Sequence, residues 1–414
     1  MVYLDHAATT PVRPEAVAAW LAAPPGNASS QHATGRAARR CVEEARESIA
    51  ADLGVAAGDV IFTAGGTSAD NLAIQGIARA RQARDPERRV VVVSAVEHHA
   101  VLDTAHSLVA EGFRVVTAPV TTDGRLDVTV FDQIVREQGH AIALVSVMTA
   151  NNETGATQPL REVAELLAGS EIPLHTDAVQ SVGWDGVPKL PGVAVACSLS
   201  GHKFGAPVGI GALVLPTAIP CQPVQYGGGQ ERRLHSGTLN TPGAAAMAAA
   251  LHAARTSHCA SGTPGVAISD LRAELRSGLA THFPDPDDAV VVTPADHCLP
   301  GIVSVMFPGC EADALLMLLD AVGVECSAGS ACSAGVPQPS AVLRAMGYDA
   351  DAARAMLRFS LGWTSTRADV HALLAALPDV VQRARTAGAR RRSATAVRPR
   401  SVRSGSPARA GSQP

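Results

Sequence analysis

The chain reads as an α/β protein: a mainly parallel central sheet covered by helices on both faces, followed by a smaller α+β C-terminal domain. Three observations carry this reading. Short β-branched runs alternate with helical patterns from residue 13 to about 257, as a parallel sheet with crossover helices requires. Most of those runs are almost continuously apolar, as strands covered on both sides must be. Hydrophobic residues make up 47% of the 414 and charged residues 17%, ample material for a large core and too apolar for a disordered chain.

In chain order, the strand candidates are 89–94, 114–118, 141–148, 173–176, 193–198 and 210–215. Helical periodicity marks 37–53, 68–84, 99–111, 160–167 and 242–255. Residues 258–265, rich in Ser, Gly and Pro, read as a joint. Beyond it come a helix from Ile268 to Leu279, a strand near 302–306, and helices near 311–322 and 367–387. The expected division is a large domain over 13–257, a small domain from 1–12 with 258–388, and a basic tail over 389–414. That tail holds seven arginines and no acid among Ser, Pro and Gly, the composition of a disordered segment.

Composition also excludes. A formal net charge of −4 supplies no global basic field for nucleic acid, the tail apart. No apolar run reaches the roughly 18 residues of a membrane span. The first residues lack a secretory pattern, and eight cysteines without a Cys-x-x-Cys pair are too sparse for a disulfide scaffold or structural zinc. Reducing cytoplasm is the expected compartment.

Lys and Arg total 34, yet Lys189 and Lys203 are the only lysines. Chemistry that needs a primary amine has two side chains to choose from, because guanidinium stays protonated. Lys203 lies in Ser200-Gly201-His202-Lys203, just past an apolar strand, where open α/β sheets place ligands. A lysine at such an edge can lose its proton and form an imine with a carbonyl; it can also be a surface residue of a Gly-rich turn. Asp177 ends another buried strand and needs a partner. A pyridinium nitrogen, as in pyridoxal 5′-phosphate (PLP), would serve, with Gln180 near the ring oxygen; so would a helix cap. Gly65-Gly66-Thr67 opens a helix whose backbone N–H groups suit a phosphate. Walker and dinucleotide-type glycine patterns are both absent. His98 and Asn152 follow two further strands. Four strand ends thus converge on one crevice.

Cys332 sits in a run of small residues, 327–335, that is hard to pack rigidly, as an accessible nucleophile requires. Cys41, Cys197, Cys298 and Cys326 lie in apolar or helical contexts and read as small core residues. Arg358, in a short apolar stretch, needs an anion: a substrate carboxylate or an acid of the protein.

Together these residues, with Leu4-Asp5-His6-Ala7-Ala8-Thr9-Thr10-Pro11, Gly26–His32, Glu97-His98, Asn151-Asn152-Glu153 and Ser236-Gly237-Thr238, resemble the cysteine desulfurases of the NifS/IscS type. These are PLP enzymes of the class V aminotransferase family with the aspartate aminotransferase-like fold (fold type I). The likeness runs from Tyr3 to about Gly362. It implies that Lys203 holds PLP, Asp177 its pyridine nitrogen, and Gln180 its ring oxygen. Gly66, Thr67, Ser200 and His202 would bind the phosphate, with Thr238 reaching the phosphate of the partner in a homodimer. His98 would stack on the ring and assist proton transfer. Asn152 and Arg358 would hold the carboxylate of L-cysteine. Cys332 would take the sulfur as a persulfide, leaving L-alanine, and pass it to an acceptor protein in iron–sulfur cluster assembly or another thiolation pathway. It is also the candidate ligand of a nascent cluster; no other metal is expected. The neighbouring activities are a class V aminotransferase and a selenocysteine lyase. Ser68, His99 and His235 depart from the family's usual Glu, Lys and Arg, and the Arg-rich tail does not resemble its scaffold-docking C-terminus.

Overall fold

A computed structural model describes residues 1–257, 260–329 and 339–396, with side chains as far as 388. Cys332 and residues 397–414 of the tail lie outside the described residues.

Seven strands form the main sheet, in the order Val60–Thr63, Gly211–Val214, Val195–Ser200, Leu174–Asp177, Ile142–Ser146, Val90–Ser94 and Arg114–Ala118. All run parallel except Gly211–Val214, which is antiparallel to both neighbours. The valine run shows why a parallel strand looks uniformly apolar. Val91 and Val93 enter the cluster with Leu72, Ile77 and Leu144 on one face. Val90 and Val92 enter the cluster with Phe131, Ile142 and Leu174 on the other. Each side chain so buried contributes about 1.5–3 kcal/mol.

Register brings the functional loops together. Val93 pairs with Ser146, Ser146 with His175, and Asp177 with Ser198, so these strands end at one level. Gly211 pairs with both Thr63 and Ser200 at the same edge. A Cβ on Gly211 would lie 2.6 Å from the Leu199 carbonyl oxygen and 2.7 Å from Gly65, so only glycine lets these segments meet. Helix Gly66–Arg84 starts there and runs back over the sheet.

The C-terminal half adds a four-stranded antiparallel sheet in the order Ser327–Ala328, Met356–Ser360, Ile302–Met306 and Val290–Val291. Helices Ile268–His282, Ala312–Asp320 and Arg367–Ala396 enclose a core containing Leu271, Phe307, Leu315, Phe359 and Leu377. Leu4 belongs to that core, Val2–Tyr3 pairs in parallel with Val324–Glu325, and Asp5 bridges to Ser360. The N-terminal segment is therefore held by the far end of the chain and then passes to the edge of the large sheet.

Several expectations need adjustment. Helices Pro14–Ala22 and Val128–Gln138 and strand Val60–Thr63 were not among the candidates. Strand Val195–Ser200 starts and ends two residues later than expected, and the 99–111 helix is α only over His99–Ser107 before tightening to 3₁₀. Helix Arg367–Ala396 continues past the boundary drawn at 388. Of the four cysteines read as core, only Cys197 is fully buried; Cys41, Cys298 and Cys326 are half-buried.

Candidate active site

At the converging strand ends lies a cavity of about 730 Å³, lined in part by Gly66, His98, Asp177, Ser200, Lys203 and Arg358. Thr67, Asn152, Gln180 and His202 also face it. Every cofactor and substrate residue expected from the sequence is thus in one place, except Thr238. That residue is exposed, just before helix Thr241–Thr256 and away from the cavity of its own chain.

Lys203 sits on the turn after strand Val195–Ser200. Its Nζ donates to the carbonyl oxygens of Ala7 at 2.7 Å and Ala8 at 2.9 Å. Among the described residues no carboxylate bonds to it. Burial first, then the Arg358 guanidinium, lowers its pKa to about 8, against the pull of Asp177 and Asp5. An amine near that value is available as a nucleophile close to neutral pH.

Asp177 ends its strand with only 6% of its surface exposed. Its Oδ1 accepts from the Val179 N–H at 2.8 Å, so it caps the following turn while still facing the cavity. Burial raises its pKa to about 6, while the Val179 bond and Lys203 oppose the rise. Gln180 Nε2 donates to the Ala7 carbonyl at 3.0 Å, which ties the N-terminal segment to the same floor.

One end of the cavity is built by the start of the 19-residue helix Gly66–Arg84. A Cβ on Gly66 would sit 2.8 Å from Val179 Cγ2 and 3.2 Å from Ser200 Cβ, so the glycine keeps this end open. Ser68 Oγ pairs with His235 Nε2 at 3.0 Å, joining two of the residues that depart from the family pattern. His202 Nδ1 pairs with Thr9 Oγ1 at 3.2 Å; burial, then Lys203, lowers its pKa to about 4, so it is neutral.

His98 caps helix His99–Ser107, its Nδ1 accepting from the Ala100 N–H at 3.1 Å. Nε2 therefore carries the proton of the neutral ring. Its edge is open to solvent, yet loss of bulk water within the cavity, followed by the charges of Lys203 and His99, lowers its pKa. Glu97 Oε1 accepts from the Met148 N–H at 2.7 Å and locks this loop to the adjacent strand end.

Arg358 stands on strand Met356–Ser360. Its Nη1 donates to the Asn152 carbonyl at 2.7 Å and its Nη2 to Asp5 Oδ1 at 3.0 Å. The acid of the protein is thus Asp5, while the buried Nε has no partner. Sequence reasoning did not see Asp5 as the counter-ion, nor the titratable groups behind the floor. Asp70 lines the cavity from the first turns of its helix. Glu153, bonded by the Ser340 hydroxyl, is raised to about 7 by burial. Spacing offered a signal only for Asp70, three residues after Thr67 on a helix that opens at the cavity.

The match to known proteins covers the same elements. The model of the aminotransferase class-V family matches residues 2–373, and the chain belongs to that family. An IscS-like cysteine desulfurase of Mycobacterium tuberculosis is 47% identical over 393 residues, covering 94% of this chain and 98% of that protein. A solved structure described as a NifS-like protein superposes with a TM-score of 0.82 at 31% identity, over 92% of this chain and 99% of the other. One described as SspA in complex with cysteine gives 0.71 at 28%, over 88% and 100%. Within the class V family this chain is therefore a cysteine desulfurase of the IscS/NifS type. Among the described residues no helix is long and apolar enough to cross a membrane.

Proposed function

We propose that the cavity holds PLP on Lys203 and that the protein removes sulfur from L-cysteine, passing it through Cys332 to an acceptor. The observation that carries this is the lysine amine, hung from two backbone carbonyls without an acid partner, beside a buried carboxylate in a roomy cavity. The residues fit the cofactor: Asp177 for the ring nitrogen, Gln180 for the ring oxygen, His98 against the ring, and Gly66, Thr67, Ser200 and His202 for the phosphate. The open cradle at Gly66 and the helix start support the last of these.

When bound, PLP supplies an electron sink that makes the substrate Cα–H acidic. The chain does the rest. Arg358 and Asn152, which both line the cavity, hold the substrate carboxylate. The Lys203 amine takes the Cα proton and returns it. The Cys332 thiolate attacks the substrate sulfur, so an S–S bond forms as the Cβ–S bond breaks. The Cβ electron pair takes up a proton, alanine leaves, and a persulfide stays on Cys332.

We read the two lobes as 13–257 and 1–12 with 258–388, and the working unit as a cytoplasmic homodimer in which Thr238 completes the phosphate site of the partner. Its exposure away from its own cavity supports this. The free thiols of Cys41, Cys197, Cys221, Cys298 and Cys326 support a reducing compartment. Iron–sulfur cluster assembly is one destination for the sulfur. The decisive variant is Cys332→Ser. It should retain PLP and its absorbance but lose sulfide release from L-cysteine in the presence of a reductant. Undiminished release would remove Cys332 from the reaction and favour a lyase or aminotransferase.

A further inference from the structure

Behind the cavity floor three carboxyls gather: Asp70 on helix Gly66–Arg84, Asp177 at the end of its strand, and Glu97 in the loop after Val90–Ser94. Asp70 is 1% exposed, and its Oδ1 has no hydrogen-bond partner. Lys203 acts on Asp177, whereas the charges acting on Asp70 are those of Asp177 and Glu97. The Cys197 thiol close by is held protonated by burial and by the two aspartates. The one base in contact is His175, fully buried, whose Nε2 lies 3.6 Å from Asp70 Oδ1, beyond hydrogen-bond range. Burial lowers the His175 pKa to about 3, so it is no cation. Its ring is satisfied as a neutral group, with Nδ1 2.9 Å from Ser146 Oγ and Nε2 2.9 Å from Ser198 Oγ. The Ser198 hydroxyl also acts on the Asp70 carboxyl, where it favours the charged form against the larger effects of burial and Asp177.

A buried carboxylate with one oxygen unpartnered is costly enough to take up a proton instead. That proton sets the direction of the whole chain of hydrogen bonds. A neutral Asp70 donates to Ser198, Ser198 donates to His175 Nε2, and Nδ1–H donates to Ser146. A charged Asp70 would accept from Ser198 and reverse the chain, placing the imidazole proton on Nε2. We propose that Asp70 is a positioning residue of the cofactor site, a neutral acid that fixes the polarity of the Asp70–Ser198–His175–Ser146 chain and leaves the negative charge of the floor on Asp177. A carboxylate there can pair with a pyridinium; two charges side by side would drive a proton onto one of them.

The clause on the pyridinium rests on the function proposed above, but the proton on Asp70 does not. The full-length protein is therefore labelled with ¹⁵N-histidine and ¹³C-aspartate and examined first without PLP. The expected result is a single Nδ1–H tautomer at His175 in the wild type and in Asp70→Asn, whose amide still donates, and a mixture of tautomers in Asp70→Leu. Asp177 should titrate in Asp70→Asn within about threefold of its wild-type proton affinity, well under one pKa unit. An Nε2–H tautomer in the wild type, or a tenfold or larger fall in the Asp177 proton affinity in Asp70→Asn, would overturn the proposal. With PLP added, the pH at which its absorbance changes should be shared by the wild type and Asp70→Asn and displaced in Asp70→Leu. An equal value in all three would likewise deny Asp70 the role. Failure to take up PLP would defeat the cofactor reading and leave the tautomer result standing.

Discussion

Ser68 Oγ lies 3.0 Å from His235 Nε2, so the two residues that depart from the family pattern at the phosphate end are partners of each other. Burial holds the imidazole below its ordinary pKa, against Glu231, so the pair is neutral where an acid–base pair would carry charge. A neutral hydrogen bond of this kind is worth about 0.5–1.5 kcal/mol. His235→Ala should therefore weaken PLP retention roughly twofold to tenfold. Ser68→Glu alone should weaken it more, by setting a carboxylate beside the phosphate. Combining Ser68→Glu with His235→Arg should recover most of the loss, since the introduced charges meet each other. Equilibrium dialysis of PLP from wild type, Ser68→Glu, His235→Arg and the double variant closes the cycle; additive losses would mean that the two positions act separately.

The Lys203 amine predicts a pH profile. Only the unprotonated form attacks a carbonyl, so PLP uptake should accelerate with rising pH and level off above about 8, rather than near the ordinary 10.5. Burial is the main cause of the lowering and Arg358 the next. Arg358→Met should move the plateau upward without restoring the full value. Stopped-flow uptake by the apoprotein across pH reads both. A plateau already reached at pH 6, or one still rising at pH 10, would contradict the geometry.

Asp177 carries a stability cost that PLP, once bound as proposed, would offset. Its pKa in the fold, about 6, exceeds the ordinary 3.8. Between those values the folded protein binds more protons than the unfolded one, so the contribution of this group to stability falls as pH rises through the window. Two units correspond to about 3 kcal/mol at most, the carboxyl being almost wholly buried. Apoprotein carrying Asp177→Asn should thus unfold at a higher temperature than wild type at pH 7.5, and the gap should close near pH 4. PLP should reverse the order, because only the carboxylate pairs with a pyridinium. Thermal unfolding with and without PLP at the two pH values tests the sign.

The sheet was legible wherever both faces are buried. Val90–Ser94 and Ile142–Ser146 are buried throughout and apolar up to their closing serines, as strands covered on both faces are. Helix Val128–Gln138 was hidden because Phe131 is its one fully buried residue and its start is β-branched, although Asp127 caps it as an Asp should. The antiparallel direction of Gly211–Val214 leaves no trace in composition, since strand pairing is set by tertiary register. At the site, Lys203 and Asp177 stood out because an amine is scarce in this chain and a carboxylate at a buried strand end is costly. Asp5 did not, because its contact with Arg358 crosses 353 positions of sequence. Asp70 did not because an acid in the first turns of a helix has an ordinary explanation in the helix dipole.

Glu231 is the hub of the segment that leads to Thr238, and its loss makes the last prediction. Its carboxylate takes Arg46 Nη1 at 2.9 Å, Arg46 Nη2 at 2.7 Å and the Phe62 N–H at 2.6 Å, all in the interior. The residues there, Glu231, Arg232 and Arg233, have φ of 48, 56 and 65°, a left-handed run that side chains other than glycine disfavour. Strain of this kind persists only where contacts over-determine it, and the Arg46 fork is that contact. Glu231→Gln leaves the buried Arg46 guanidinium with only the exposed Glu43 as its anion, so the loss should fall below the about 3–5 kcal/mol of a fully orphaned buried charge. The turn should then relax toward negative φ and carry His235 and Thr238 with it. Chemical denaturation should report the loss, whereas Glu231→Gln with Arg46→Met should regain part of it by removing the under-compensated charge. If Thr238 serves the neighbouring subunit, the single variant should also release PLP faster under conditions where it remains folded. Folded Glu231→Gln with wild-type PLP retention would separate this turn from the phosphate site.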